Sequence, residues 1–399
     1  MAVREESRAG STGEILDGIH HTVKPFRILH TESSCGLGGQ EFRVLHEVMG
    51  MKDRGHQVIL AVQPSSQLKD RALKCGLCVE TVDMSKSRWI SLVASFTRLI
   101  SQYNIDVINT HGSIDSWTAS IAGRLSRNKP LIIRTRHKST PISNTFRHRL
   151  LYRVLPHGIV TTGQVVREAM IQNNGIEESR IVSIPTGVDL SRYTPYAPDE
   201  DLKKEWQIDL GDLVVGTVAF LRDYKGLNYF LEAARLVADK MSNVWFWIVG
   251  SGPVQKELEQ QIAVLGLRER VLLTGFREDI PQILGFMDVF VLSSISAEGV
   301  PQVLSQALAM ERAVVATEVG GISEVVQDGC SGLLCPPKDS AGLADKILTL
   351  LMAPDLRARL GQTGRRIVLN SYGVESMLDK TEALYLHLMS LRRLGHGNH

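Results

Sequence analysis

The sequence predicts an α/β protein made of two doubly wound parallel-sheet domains, and three observations carry that expectation. First, Arg27-Ile28-Leu29-His30 reads as a short strand, and residues 31–40 as a loop rich in Gly and Ser. Phe42, Leu45, Val48 and Met49 mark one side of a helix, and residues 58–62 form a second strand. That strand–loop–helix–strand order sets the two strands parallel in one sheet. Second, the order starts again at residues 213–220, which run into Arg222-Asp223-Tyr224-Lys225-Gly226 and a helix over 228–239. Third, residues 193–201 lie between the halves with Pro195, Pro198 and several acids, the composition of a linker.

Composition narrows the function classes. At 399 residues the chain is long enough for two or three domains with their own cores. A net charge of +2 gives no general attraction to nucleic acid, which is excluded as a partner. No apolar run approaches the roughly 18 residues that cross a bilayer. Residues 1–24 mix Arg, Glu, Ser and Gly without an apolar core, so they read as a flexible tail and not a secretory signal. Five cysteines in such a chain point to a reducing compartment, hence the cytoplasm. Cys75 and Cys78 have a metal-pair spacing, but Cys75 closes a helical run and Cys78 opens a strand, so their side chains diverge. Cys330 and Cys335 fall in the other half, and no metal site is expected.

Along the first half, Gly36, Gly38 and Gly39 suggest a dinucleotide fingerprint, which fails because its third glycine would be Glu41. Residues 106–111 form a strand ending at His111, followed by Gly112, Ser113 and Asp115. Ligands of doubly wound sheets bind at such strand ends, so His111 is either a site residue or a histidine bonded to loop backbone. Between Ser116 and Arg167 there are ten Lys or Arg and no acid, with Phe146, Leu150, Leu151, Tyr152, Val154 and Leu155 interleaved. Two readings are open: a basic, partly apolar surface for an anionic membrane or phosphorylated acceptor, or a solvated basic face.

In the second half, Arg222 and Lys225 stand three apart at a strand end, where two cations could neutralise a diphosphate. Residues 245–249 form a strand turning at Gly250, and residues 272–277 lead through Gly275 to Phe276 and Arg277. Val289-Phe290-Val291-Leu292 is a buried strand opening into Ser293-Ser294. Pro301 sits where a helix takes its first residue, and Val303, Leu304, Ala307 and Leu308 repeat at core-facing spacing. Gln302 and Gln306 share the opposite face. A helix N-terminus aimed into a cleft suits a diphosphate.

The stretch from Ser296 to Ala309 resembles the signature of the family-four (group 1) glycosyltransferases, enzymes with the GT-B fold. Their two glutamates, eight positions apart, correspond to Glu298 and to Gln306, so the second is replaced here. Gly38-Gly39-Gln40-Glu41, Arg54-Gly55-His56, the strand ending at His111, Pro185-Thr186-Gly187-Val188-Asp189 and Arg222 to Gly226 resemble further motifs of the family in the same order. So do Gly250 to Pro253 and Asp328 to Leu334.

The resemblance implies two Rossmann-like domains facing across a cleft. Residues 25–190 would bind the acceptor, 191–211 link, 212–375 bind the nucleotide-sugar, and a helix over 376–399 cross back. It implies that Arg222, Lys225, Glu298 and His111 act on the reacting sugar and its leaving diphosphate. Gly250, Phe276, Arg277, Gly299, Val300, Pro301, Gln302, Val303 and Gln306 would hold the donor, with Gly38 and Gly39 in the phosphate and acceptor loop. The implied chemistry is a retaining, metal-independent transfer with no cofactor. A nucleotide-diphosphate sugar, UDP-linked by expectation, is the co-substrate. A cell-envelope glycan, a lipid-linked or a phosphorylated compound is the acceptor. Two other classes stay open: a GT-B epimerase that converts its donor without an acceptor, and a non-catalytic nucleotide-sugar-binding subunit.

Overall fold

The structure, a computed structural model, describes residues 24–196 and 206–396 apart from 207, 210 and 297. Nearly all of the expected tail and much of the expected linker therefore lie outside the described residues.

Seven strands form the first sheet: β1 (Arg27–Glu32), β2 (Gln57–Val62), β3 (Cys78–Thr81), β4 (Val107–Thr110), β5 (Leu131–Arg136), β6 (Gly158–Thr161) and β7 (Ile181–Ser183). They are all parallel, in the order β3-β2-β1-β4-β5-β6-β7. Six strands form the second: β8 (Leu213–Val218), β9 (Val244–Val249), β10 (Val271–Gly275), β11 (Val289–Leu292), β12 (Ala313–Thr317) and β13 (Leu333–Cys335). Their order, β10-β9-β8-β11-β12-β13, repeats the same winding. The two doubly wound domains expected from the sequence are what the chain forms.

The strands read as Val, Ile and Leu runs because helices cover both faces of each sheet. Ile28, Leu60, Val107 and Ile133 pack on one side of the first sheet, and Leu29, Ile59, Ile108 and Ile132 on the other. Val215, Phe246 and Val289 do so on one side of the second, and Val214, Trp247 and Phe290 on the other. The last helix, Val374–His396, lies on the first sheet, where Met377, Leu378, Tyr385 and Leu388 enter its core. Arg54 fastens that helix by ion pairs to Glu375 and Asp379, each 2.7 Å, and to Glu382 at 3.1 Å.

Strand order reverses between β1 and β4 in the first sheet and between β8 and β11 in the second. Such switch points open a crevice at the carboxyl ends of the strands. The Gly38–Gly39 loop follows β1, His111 follows β4, the Arg222–Lys225 turn follows β8, and Glu298 follows β11. The topology thus gathers the expected motifs at two facing crevices. Two elements are shorter than expected: β4 keeps Val107–Thr110 of the strand read over 106–111, and β8 stops at Val218, with residues 219–220 already in the loop.

Candidate active site

A cavity of about 800 Å³ lies between the two sheets. The first domain contributes Gly38, Gly39, Phe42, His46, Arg71, His137, Thr162 and Thr186 to its wall. The second contributes Phe220, Lys225, Gly250, Phe276, Arg277, Glu298 to Val303 without a break, and Gln306.

The helix Gln302–Ala309 starts one residue later than the sequence suggests. Pro301 is extended, with ψ of 123°, and caps the helix from outside. The reason is a tether: the Val300 N–H donates to the Thr162 carbonyl at 3.0 Å, holding the chain straight up to the proline. Leu304, Ala307 and Leu308 are buried as expected. Val303 is only half-buried: it packs against the edge of the second-domain core and also lines the cavity beside Gln302 and Gln306. The N–H groups of Gln302 and Val303 belong to the first turn, where an α-helix offers no internal acceptor, so they are available to an anion.

The loops after β8 and β11 are zipped together. Ile295 N–H donates to the Tyr224 carbonyl at 2.8 Å, and Ser293 Oγ donates to the Lys225 carbonyl at 3.0 Å. Gly226 makes this approach possible: its φ is 62°, and a Cβ there would lie 2.1 Å from the Ser293 carbonyl oxygen. The zipper brings Lys225 Nζ within 2.5 Å of Glu298 Oε1, which also accepts from Ser294 Oγ at 2.8 Å.

Opposite, Glu32 and Glu41 shape the glycine loop. Glu41 Oε2 accepts from Gly38 N–H at 2.8 Å, while Glu32 accepts from Ser34 N–H at 2.9 Å and Gln40 Nε2 at 2.6 Å. Burial pushes the Glu32 carboxyl up to about 8, helped by Asp115. The loop faces the donor helix closely: a Cβ on Gly39 would sit 3.6 Å from Gln302 Oε1. Between the domains, Glu324 of the second accepts from the N–H groups of Gln164 at 2.8 Å and Val165 at 3.0 Å, at the start of a first-domain helix. At the rim, Arg71 pairs with Glu278, whose carbonyl accepts from Arg192 Nη2 at 2.7 Å.

Two of the expected catalytic residues stand apart from the cavity wall. His111 is buried, and its ring nitrogens are engaged by His30 at 2.9 Å and His137 at 3.0 Å. Both of its ring nitrogens are thus taken by protein partners, and the imidazole that lines the cavity is that of His137. Burial, then the neighbouring cationic and imidazole groups, hold His111 and His137 well below the ordinary histidine range. Arg222 is exposed and rests on the Phe220 ring, with its guanidinium carbon 4.9 Å from the centroid. Phe220 lines the cavity, so Arg222 stands one layer behind. Arg277 does reach the wall, and Asp279 holds its guanidinium through Nε at 2.8 Å and Nη2 at 2.5 Å.

The basic segment is less of a surface than its composition suggests. Arg134 and Arg136 lie on β5 and are buried; Arg134 donates to the Thr110 carbonyl and Arg136 to Tyr152 Oη. Arg124 donates to the Val154 and Leu155 carbonyls, and Arg167 pairs with Glu178. Arg127, Lys129 and Lys138 are exposed singly, and Arg147, Arg149 and Arg153 form an exposed patch with Phe146 and Val154. Cys75, Cys78 and Cys330 are exposed free thiols, and Cys335 is buried.

Sequence reasoning missed His137, Thr162, Glu324, and the wall formed by Phe42, His46 and Arg71. His137 directly follows β5, so the strand-end rule that singled out His111 applies to it equally. Thr162 directly follows β6 and falls under the same rule; the other residues carry no comparable signal.

Two family models match the chain: Glycosyltransferase Family 4 over residues 37–192 and Glycosyl transferases group 1 over residues 212–353. The alpha-D-kanosaminyltransferase of Streptomyces kanamyceticus is 31% identical over 189 residues, which are 46% of this chain and 48% of that protein. The match thus spans about half the length of that relative. The Escherichia coli UDP-Gal:alpha-D-GlcNAc-diphosphoundecaprenol alpha-1,3-galactosyltransferase is 27% identical over 323 residues, 76% of this chain and 82% of that one. Among solved structures, Anabaena Alr3699/HepE in complex with UDP-glucose superposes with a TM-score of 0.81 at 24% identity, covering 92% of this chain and 100% of that one.

Proposed function

The chain belongs to the group 1 (family 4) glycosyltransferases, and from that premise we propose that it transfers a sugar from a UDP-sugar to a cell-envelope glycan or lipid-linked acceptor. We propose further that the transfer retains anomeric configuration and needs no metal ion. The observation that carries the reading is the meeting of Lys225, Glu298 and the first turn of the Gln302–Ala309 helix on one wall of the cleft.

As the bond from the anomeric carbon to the β-phosphate oxygen breaks, negative charge grows on the diphosphate. Lys225 and the N–H groups of Gln302 and Val303 oppose that charge in a fixed arrangement, the role a metal plays elsewhere. Glu298, released from Lys225 by the incoming phosphate, is placed to accept from a sugar hydroxyl. The acceptor oxygen bonds to the anomeric carbon on the face the diphosphate leaves, and the acceptor proton goes to the departing phosphate. Gln306, one turn along the helix, is placed for the ribose.

The relatives' substrates support UDP and a lipid-linked or polysaccharide acceptor. The patch of Arg147, Arg149, Arg153, Phe146 and Val154 supports contact with the cytosolic face of an anionic membrane. Among the described residues no helix is long and apolar enough to cross a membrane.

Thermal protection by a panel of nucleotide-sugars tests the donor, since a ligand of the folded state alone raises its stability. UDP-sugars should protect, and the anomeric proton coupling of the product should match that of the donor. Turnover should survive EDTA; a strict demand for magnesium or manganese would contradict the leaving-group argument.

A further inference from the structure

The first-domain helix Gln164–Asn174 begins without a cap of its own. It follows β6, and its N-cap residue is Gly163, which has no side chain to accept from the first N–H groups. Those N–H groups find no acceptor within an α-helix, so a partner must come from elsewhere. It comes from the other domain. Glu324 Oε2 accepts from Gln164 N–H at 2.8 Å, and Oε1 accepts from Val165 N–H at 3.0 Å. A carboxylate gripping two N–H groups at the positive end of a helix makes charge-assisted bonds, the strong kind.

Glycine at 163 permits the approach. A Cβ there would lie 3.2 Å from Glu324 Oε1 and 3.3 Å from both Gly299 Cα and Val300 N. Thr162 and Gly163 thus lie flat against Gly299 and Val300, where the Val300 N–H donates to the Thr162 carbonyl at 3.0 Å.

Within its own domain, Glu324 stands back to back with the Glu298 loop. It ends the turn Gly320–Glu324, whose Gly321 N–H donates to the Glu298 carbonyl at 2.9 Å. A Cβ on Gly321 would lie 2.9 Å from the Gly299 carbonyl carbon and 3.0 Å from Glu324 Oε1. The backbone from Glu298 to Val300 is therefore held between Gly321 and Thr162–Gly163, and Glu324 touches both sides. Tyr372 braces the acid from behind. Its Oη donates to the Glu324 carbonyl at 3.0 Å, and its own carbonyl accepts from Val188 N–H at 2.8 Å. Val188 pairs with Gly373 where the two passages of the chain between the domains meet.

Contacts between domains of one chain are commonly small and polar, and relative motion is then the default. A two-pronged bond beside the donor wall counts for more in that setting. Val300 leads directly into Pro301 and the helix Gln302–Ala309, so a shift at the Val300 N–H carries the first helical turn with it.

We propose that Glu324 is a positioning residue of the transfer: by holding Thr162 and Gly163 against Gly299 and Val300, it sets Glu298 and the Gln302 and Val303 N–H groups for the sugar and its diphosphate. Glu324 itself touches no reacting atom. The kinetic clause rests on the donor site assigned above; the hold on Val300 does not.

Two readouts on the full chain test the proposal. Amide hydrogen exchange, read by mass spectrometry on a peptide spanning Val300, follows the Thr162 contact without any substrate. Glu324→Ala should speed exchange there as well as in the first turn of the Gln164–Asn174 helix. Faster exchange in the helix alone, with Val300 protected as in the wild type, makes Glu324 a plain helix cap and overturns the proposal.

The second readout is kinetic, with the UDP-sugar that protects best against unfolding as donor. Glu324→Ala should lower kcat about tenfold or more, the scale of a misplaced reacting group, while the Kd for UDP stays at the wild-type value. Glu324→Gln keeps one acceptor for the two N–H groups and should fall between. A role in stability alone predicts a lower melting temperature with wild-type kcat well below it, and that result overturns the positioning role. A loss confined to UDP affinity does the same. If Glu324→Ala does not fold, Glu324→Gln carries both readouts, and the same outcomes decide. If no UDP-sugar supports turnover in the wild type, the donor assignment falls and the kinetic clause with it, while exchange at Val300 still decides whether Glu324 holds that contact.

Discussion

Lys225 Nζ lies 2.5 Å from Glu298 Oε1, joining the turn after β8 to the loop after β11 in a pair whose side chains are each less than one-seventh exposed. The two residues stand 73 positions apart in the chain. Ser294 Oγ shares the same carboxylate oxygen, so Glu298 keeps a partner when Lys225 turns to another anion. The pair is thus a resting arrangement from which a diphosphate can take the cation without stranding the carboxylate.

Lys225→Ala should lower turnover at least about a hundredfold while the fold persists, the loss that follows removal of a charge-stabilising donor. Arg222→Ala should fall comparably. Its stack on exposed Phe220 is worth only about 0.5–1 kcal/mol, so a diphosphate in the cleft readily draws the guanidinium inward. Steady-state kinetics with the donor chosen by thermal protection checks both. Near-normal turnover in Arg222→Ala would leave Lys225 and the helix N–H groups as the whole of the anion site.

Gly299 sits where the two domains touch. A Cβ on it would fall 2.6 Å from Thr162 Oγ1, next to the Val300 N–H bond to the Thr162 carbonyl. Gly299→Ala should therefore loosen the cleft floor, lowering both turnover and melting temperature. Thr162→Ala added to it should restore much of the loss, because the next contacts, at 3.4 and 3.5 Å, are ordinary. A double variant as impaired as Gly299→Ala would show that backbone freedom, not the approach of Thr162, makes glycine necessary.

The crevice residues were legible because each motif combines a strand end with a residue of unusual backbone or charge. Gly226 and Lys225 after β8, and Glu298 and Pro301 after β11, are of that kind. The contact of His30, His111 and His137 was not legible, since the three lie 81 and 26 residues apart and meet only through the sheet order β1-β4-β5. Glu324 is 160 residues from the helix it caps, and no local pattern announces that bond. The basic segment misled for a different reason: composition cannot say that Arg134 and Arg136 sit within a buried strand and spend their donors on neighbouring protein oxygens.

His157 gives stability a dependence on acid. Its Nδ1 accepts from Ile132 N–H at 2.9 Å, which requires the neutral ring. Burial, then Arg124, Arg392 and Arg180, push its pKa down to about 3. As pH falls below the usual histidine value of about 6.5, the unfolded chain takes up a proton that the folded one refuses. Stability then drops by at most about 1.4 kcal/mol per pH unit from this group until the folded ring titrates. His157→Asn keeps an acceptor for Ile132 without a titrating group, so its urea-unfolding free energy should fall less steeply than wild type between about pH 6.5 and 5. Parallel curves would assign the acid sensitivity to other groups, the trio of His30, His111 and His137 first among them.

Gln306 decides whether the Gln302–Ala309 helix holds the nucleotide. It lines the cavity one turn beyond Gln302, on the face turned from Leu304 and Leu308. If its amide oxygen accepts from one ribose hydroxyl and its NH₂ faces the other, Gln306→Ala strands a hydroxyl and should weaken UDP by about 1–2 kcal/mol, roughly tenfold in Kd. Gln306→Glu should hold or tighten UDP, because a carboxylate accepts from a hydroxyl more strongly than an amide does. A merely polar helix face predicts something else: both variants bind UDP like the wild type, and any change appears in stability alone. Titration calorimetry of UDP into the three proteins separates the cases. Unchanged affinity in Gln306→Ala would sink the ribose contact and leave the Gln302 and Val303 N–H groups as the helix's sole claim on the nucleotide.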